Sequence, residues 1–371
     1  MVNTKYKKIF SIVFILSILI VLGLTISKTT NYSKDEHKVS VNLNDDQKNC
    51  LNYNYEIPIN IKVLDIISEN ELLTEENNQL KIYNLTKKIY GEKLIDITEN
   101  NSIIVAKMFK DGVIWIENNK QEKSNTKMFI KYFSSDKINV LDESNSNILP
   151  SMSITSKYVT YYIVDNNNNI NIKIFNLEES SNRTIASYDL GSDVNPIQLS
   201  IPNTNDSDVI WSCSNQEKSQ IYIYNIANES IKTLPKSELL SRPVIKNNRI
   251  FAIQKYDFFD KELNCDYASD YIVEYNNNEW NKFSKDNIDQ YVSYPREAIT
   301  GLSTNQGLLY WTSTFKVKYV YDVVNNKFIL LTKPETNLQT TIKMVNNNII
   351  YYQVKDNIGN QYNFIYIVPK E

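Results

Sequence analysis

Seven times along this chain a strand-like segment closes on an aromatic residue, at an interval that hardly varies. The aromatics are Tyr83, Tyr132, Phe175, Tyr224, Tyr275, Tyr321 and Tyr366, spaced 43 to 51 residues apart. Four of them share nearly the same surroundings: Lys81-Ile82-Tyr83-Asn84, Lys173-Ile174-Phe175-Asn176, Tyr222-Ile223-Tyr224-Asn225 and Tyr319-Val320-Tyr321-Asp322. A second bulky segment precedes each one, as in Val113-Ile114-Trp115-Ile116, Val209-Ile210-Trp211 and Leu308-Leu309-Tyr310-Trp311. A third mark is Pro150, Pro196, Pro243 and Pro295, in phase with the rest. Each is expected just before the strand that opens a unit, where a residue without a backbone donor is tolerated. A fixed period of this length is the signature of a repeat architecture.

Between these marks, short apolar segments alternate with turns rich in Asn, Ser and Asp, and no long helical period occurs. The runs Asn166–Asn169, Asn276–Asn278, Asn325-Asn326 and Asn346–Asn348 suit tight hairpins, because Asn tolerates left-handed backbone angles. Each unit has room for four strands, which is one blade of a β-propeller. The expected fold is therefore all-β, a seven-bladed propeller, with a six-bladed ring carrying one irregular segment as the second reading. The last unit, Thr340 to Lys370, has room for only three strands. Residues Tyr55 to Val63 read as a spare strand ahead of the first unit. Pairing the two closes the ring and removes a large unpaired edge.

The stretch from Pro150 to Asn176, with its counterparts at Pro196 and Pro295, resembles the TolB-like and WD-repeat-like β-propellers. There a proline-led inner strand runs into a short turn, an aromatic strand and then an Ile-Tyr-Val-like strand. The Ser-Pro-Asp-Gly-type turn of that family is missing here, so the likeness is one of pattern across residues 55–371. It implies a fold and a liking for protein or small-ligand contacts, with no reaction attached.

Ahead of the repeats, Lys5, Lys7 and Lys8 precede an apolar run from Ile9 to Ile26. Eighteen helical residues rise about 27 Å, close to the hydrocarbon thickness of a bilayer. No small-residue cleavage site follows, so residues 9–26 are expected to be an uncleaved signal anchor. Residues 1–8 form a cytoplasmic tail, and the rest of the chain lies outside. Residues 27–54 are mostly polar and read as a flexible tether. The domain from 55 to 371 would then sit at the outer surface of the cell membrane.

Net charge is −3, which gives no general pull toward nucleic acid. The only histidine, His37, precedes the repeats. Imidazole-dependent triads and the usual zinc and copper sites therefore have no ligand or base in the domain. No metal and no cofactor is expected. Cys50, Cys213 and Cys265 match no metal spacing; a Cys213–Cys265 bridge and free buried thiols are both open. Asp165 to Asn169 imitates the start of a calcium loop, but Ile170 and Asn176 stand where Gly and Glu belong.

In propellers, the loops into each blade and those between its second and third strands share one face. Arg242, Arg296 and Glu297 fall at two such entrances. The longest internal loop, Tyr256 to Asp270, carries Asp257, Phe258, Phe259, Asp260 and Asp266. These eight residues are the candidate ligand-binding set: arginines for an anion, and a Phe-Phe pair with carboxylates for a protein or peptide. The expected function is non-catalytic, a binding or scaffold module for a protein, peptide or glycan of the cell envelope. The alternative is a carbohydrate-active enzyme that uses two carboxylates in the central cleft.

Overall fold

A computed structural model describes Leu43 and residues 45–369, apart from 123–124, 147, 149, 191–197, 215–218, 236–239, 261–264, 284–298, 306–307, 314–318 and 333–337. Side chains are further undescribed at 256–260 and 265–269, among others. The chain divides into two units, 1–43 and Asn44–Glu371. The predicted anchor at 9–26 lies outside the described residues. No helix among the described residues is long and apolar enough to cross a membrane.

The second unit is built from seven antiparallel sheets. In the first, Lys62–Ser68, Glu71–Glu76, Gln79–Asn84 and Ile89–Asp96 follow one another in space as in sequence. Five more blades repeat this order. Their inner strands are Asn101–Phe109, Ser151–Ile154, the broken pair Gln198–Leu199 and Asn203–Thr204, Leu240–Lys246 and Ile299–Asn305. The seventh blade opens with Gln339–Asn346. Each inner strand touches that of the next blade, and the seventh touches the first, so the sheets form a closed ring. This is a seven-bladed β-propeller, and the six-bladed alternative falls.

The seventh blade takes its outermost strand from Tyr55–Ile57, which pairs Tyr55 with Ile365 and Ile57 with Asn363. The spare strand is thus shorter than the predicted segment, and Lys62 and Val63 already belong to the first blade. The polar stretch before it is also part of the fold. Asp45–Lys48 form one helical turn, Leu51 bridges Thr332, and the Asn52 amide donates to the Leu331 carbonyl at 2.9 Å. Tyr352 Oη donates to the Asn52 carbonyl at 2.7 Å. Polarity there serves specific hydrogen bonds as well as solvation.

The aromatic marks do what the period implied. All seven lie on third strands; Tyr83, Phe175, Tyr224 and Tyr321 are buried, and Tyr132, Tyr275 and Tyr366 are half-buried. The largest buried side chains on the second strands are Trp115, Tyr161, Trp211, Phe251 and Tyr352. They fill the seams between blades. Trp211, for example, stacks on Tyr222 at 5.6 Å and donates through Nε1 to Tyr188 Oη at 2.9 Å. The pairs Asn77-Asn78, Asn247-Asn248 and Asn277-Asn278 have positive φ at both residues, as two-residue hairpin turns of the right twist require.

The prolines are less uniform than their phase. Pro150 immediately precedes the third inner strand, while Pro196 and Pro295 lie outside the described residues. Pro243 stands inside the fifth inner strand rather than before it. There Ser241 pairs with Ile253 and Val244 with Phe251, so Arg242 and Pro243 bulge out opposite Ala252. A bulge lets the missing donor escape the ladder. Pro202 interrupts the fourth inner strand for the same reason, and its carbonyl accepts from Thr160 Oγ1 at 2.8 Å.

Candidate functional site in the central channel

An inner strand has a ladder partner on one side only, and its other edge faces the axis. The amides along that edge need acceptors. In this ring the acceptors are side chains of the preceding blade. Met108 N donates to Asp65 Oδ2 at 2.9 Å, Arg242 N to Ser212 Oγ at 3.2 Å, Ile245 N to Asn203 Oδ1 at 3.0 Å and Ile299 N to Asp270 Oδ2 at 2.8 Å. The same stitch therefore recurs at three of the seams, always from the later blade to the earlier one.

Inside these strands runs a cavity of about 1210 Å³ with residues of all seven blades in its wall. Small hydroxyl groups recur there, among them Ser153, Ser200, Ser212, Ser241 and Ser303. Met108, Met152 and Met344 supply pliable apolar surface beside Ile154 and Ile201. Tyr162 and Tyr310 reach the wall from second strands, and burial holds both phenols above the usual tyrosine range. Ser303 pairs with Tyr310 across the first hairpin of the sixth blade.

Among the described residues six charged ones line the cavity: Asp65, Lys107, Lys110, Asp206, Arg242 and Lys246. Lys107 Nζ bonds Asp65 at 2.8 Å, with side-chain exposures of 20% and 8%. Burial works against the Lys107 charge, but the field and hydrogen bond of Asp65 outweigh it and hold the ammonium above the usual lysine range. Asp206 accepts from Thr155 Oγ1 and, at 3.3 Å, from Ser156 Oγ. Burial lowers the Lys246 ammonium, with Asp206 opposing.

Of the predicted site residues, Arg242 lies in this wall, exposed to the cavity. Arg296 and Glu297 lie outside the described residues. The segment expected to be a long loop is instead a hairpin extension. The second strand of the fifth blade runs Arg249–Asp260 and the third Cys265–Asn276, pairing Asp257 with Ala268, Phe258 with Tyr267, Phe259 with Asp266 and Asp260 with Cys265. Its mixture of carboxylates and aromatics, as in Asp257-Phe258-Phe259-Asp260, disguised the ladder as a loop. The side chains of Asp257, Phe258, Phe259, Asp260 and Asp266 lie outside the described ones. Cys50 and Cys213 are free thiols, so no Cys213–Cys265 bridge forms. Asp165 turns back on its own hairpin, accepting from Asn167 N at 2.8 Å, Asn169 N at 3.0 Å and Asn171 Nδ2 at 2.9 Å. Asp65, Lys107, Lys246 and Tyr162 were missed as site residues; their signal is position on or beside an inner strand, legible only once the blades are laid out.

No family model matches the chain, and no curated protein matches it. Solved structures do. The β-propeller domain of the Trilobed protease from Pyrococcus furiosus is 11% identical over 84% of this chain and 97% of that one, with a TM-score of 0.54. That domain has an open velcro topology, whereas here Tyr55–Ile57 completes the last blade. A prolyl endopeptidase is 10% identical over 88% of this chain and 52% of its own, with a TM-score of 0.56; the chain spans about half of that protein. TolB from Acinetobacter baumannii also appears, 11% identical over 84% of this chain and 80% of that one, with a TM-score of 0.41. At these identities the likeness carries the fold alone.

Proposed function

We propose that this protein is a non-catalytic binding module, held at the outer face of the cell membrane by residues 9–26, that takes a protein or peptide segment into its central channel. The observation that carries this reading is the channel wall: residues of seven blades, with methionines, serines and tyrosines from six of them, around about 1210 Å³. Adaptable apolar groups with scattered hydroxyls suit a peptide better than a fixed small substrate. The two carboxylates in the wall among the described residues are already engaged. Asp65 is bonded to Lys107 and to the Met108 amide, and Asp206 to the Thr155 and Ser156 hydroxyls. That favours binding over paired-carboxylate hydrolysis.

The test is photocrosslinking in intact cells with a benzophenone residue at Ile201, which is 47% exposed in the channel wall, or at Ile231, equally exposed on an outer strand. A discrete adduct from position 201 and none from 231 supports the reading. Equal adducts, or none from 201, sink it. Fractionation of the same cells checks the anchor, with the protein expected in the membrane pellet and digested by protease added outside.

A further inference from the structure

Arg242 holds a backbone conformation that is costly for its residue type. Among the described residues, fourteen other than Gly have positive φ, and ten are Asn or Asp. Lys88, Ser180 and Glu229 end turns between third and outer strands. Arg242, with φ 49°, is the one that sits within a strand, at the bulge before Pro243. For a long side chain this region is unfavourable, and such strain persists where the surroundings impose it. The bulge delivers the guanidinium to the channel wall, exposed. Among the described residues no ion pair engages it.

The surroundings favour an anion. Among the described residues four cations line the channel against two carboxylates, with a third, Asp270, close enough to act on Arg242, in a chain whose net charge is −3. One of those carboxylates, Asp65, is neutralised by Lys107. A low-dielectric cleft with excess positive charge concentrates anions. Near Arg242, Asp270 has one oxygen on the Ile299 amide, while Ser212 and Ser241 add hydroxyls to the wall. The guanidinium fork matches an oxyanion bidentately.

We infer that Arg242 anchors an oxyanion, a carboxylate or phosphate group, on the ligand that enters the channel; this rests on the channel reading above and deepens it. The test is equilibrium dialysis of the full chain against radiolabelled succinate and, separately, inorganic phosphate, at fixed ionic strength. Wild type is expected to bind at least one of them at a single saturable site in the millimolar range, and Arg242→Asn to bind about tenfold more weakly or worse. Which probe saturates first distinguishes a carboxylate from a phosphate. Arg242→Gly, which relieves the backbone, is expected to melt at a higher temperature than wild type while losing the anion, and Arg242→Lys to bind with intermediate strength. Binding unchanged in Arg242→Asn, or no saturable binding of either probe by wild type up to about 10 mM, overturns the inference. Neither outcome touches the crosslinking at position 201, so the two readings fail separately.

Discussion

The seams between blades and the channel along the axis are lined by the same strands, yet they obey different rules. In a seam, Trp211 or Tyr161 is fully buried and meets partners from two sheets. In the channel, Ile201 is 47% exposed, and serines alternate with lysines and methionines. Seven blades packing face to face bury area in proportion to side-chain size, so seams select large apolar groups. Inner strands converging on an axis leave room for small groups and leave backbone amides without ladder partners, so that wall selects acceptors instead. Stability therefore belongs to the seams, and the channel wall is freer to vary.

The largest expected effect tests the seams. Trp211→Ala removes a fully buried indole, its stack on Tyr222 and its bond to Tyr188, and should cost about 3–5 kcal/mol in denaturant unfolding. Next comes a channel residue that does structural work. Asp65→Asn strands a mostly buried ammonium and weakens the stitch to Met108, and should cost about 2–3 kcal/mol. Because Lys107 titrates above its unfolded value, its contribution is complete below the ordinary lysine pKa and is lost as pH rises through the folded one. The gap between wild type and Asp65→Asn should accordingly narrow in strongly alkaline buffer, and a gap that widens would place the Lys107 shift in the wrong direction.

Smaller effects sharpen the contrast. A Cβ on Gly112 would lie 2.3 Å from the Lys131 carbonyl and 2.5 Å from the Phe109 ring, so Gly112→Ala should cost about 1–2 kcal/mol, read from the thermal midpoint. Tyr352→Phe removes the bond to Asn52 that ties the first residues of the unit to the seventh blade, at about 1 kcal/mol. Ile201→Ala, in the channel, should stay within about 0.5 kcal/mol. A cost there comparable to that of Trp211→Ala would erase the distinction between the two environments.

How much was legible follows the same division. The aromatics at 83, 132, 175, 224, 275, 321 and 366 carried the blade count because every seam needs one bulky group at the same place in its unit. The closing strand was legible because the last unit was one strand short. Its length was not, since Pro58 and the polar residues around it leave the end of the pairing ambiguous until Ile57 meets Asn363. Pro243 marked the right neighbourhood but the wrong place, because register within a strand has no local signature. The stretch Tyr256 to Asp270 was mistaken for a loop because its sequence, as in Asp257-Phe258-Phe259-Asp260, shows no clean two-residue alternation. Arg242 was legible as a candidate from its position, though not from its conformation.

By itself, then, the amino-acid order determined the repeat, the all-β class, the seven units and the way the ring closes, because burial recurs in every copy and leaves its mark at a fixed interval. Only the tertiary structure decided which groups meet on the axis. Lys107 and Asp65 are 42 residues apart, and Asn346 reaches the Ile66 carbonyl across 280. Contacts between blades depend on where the circle brings strands together, and no window along the chain contains both partners.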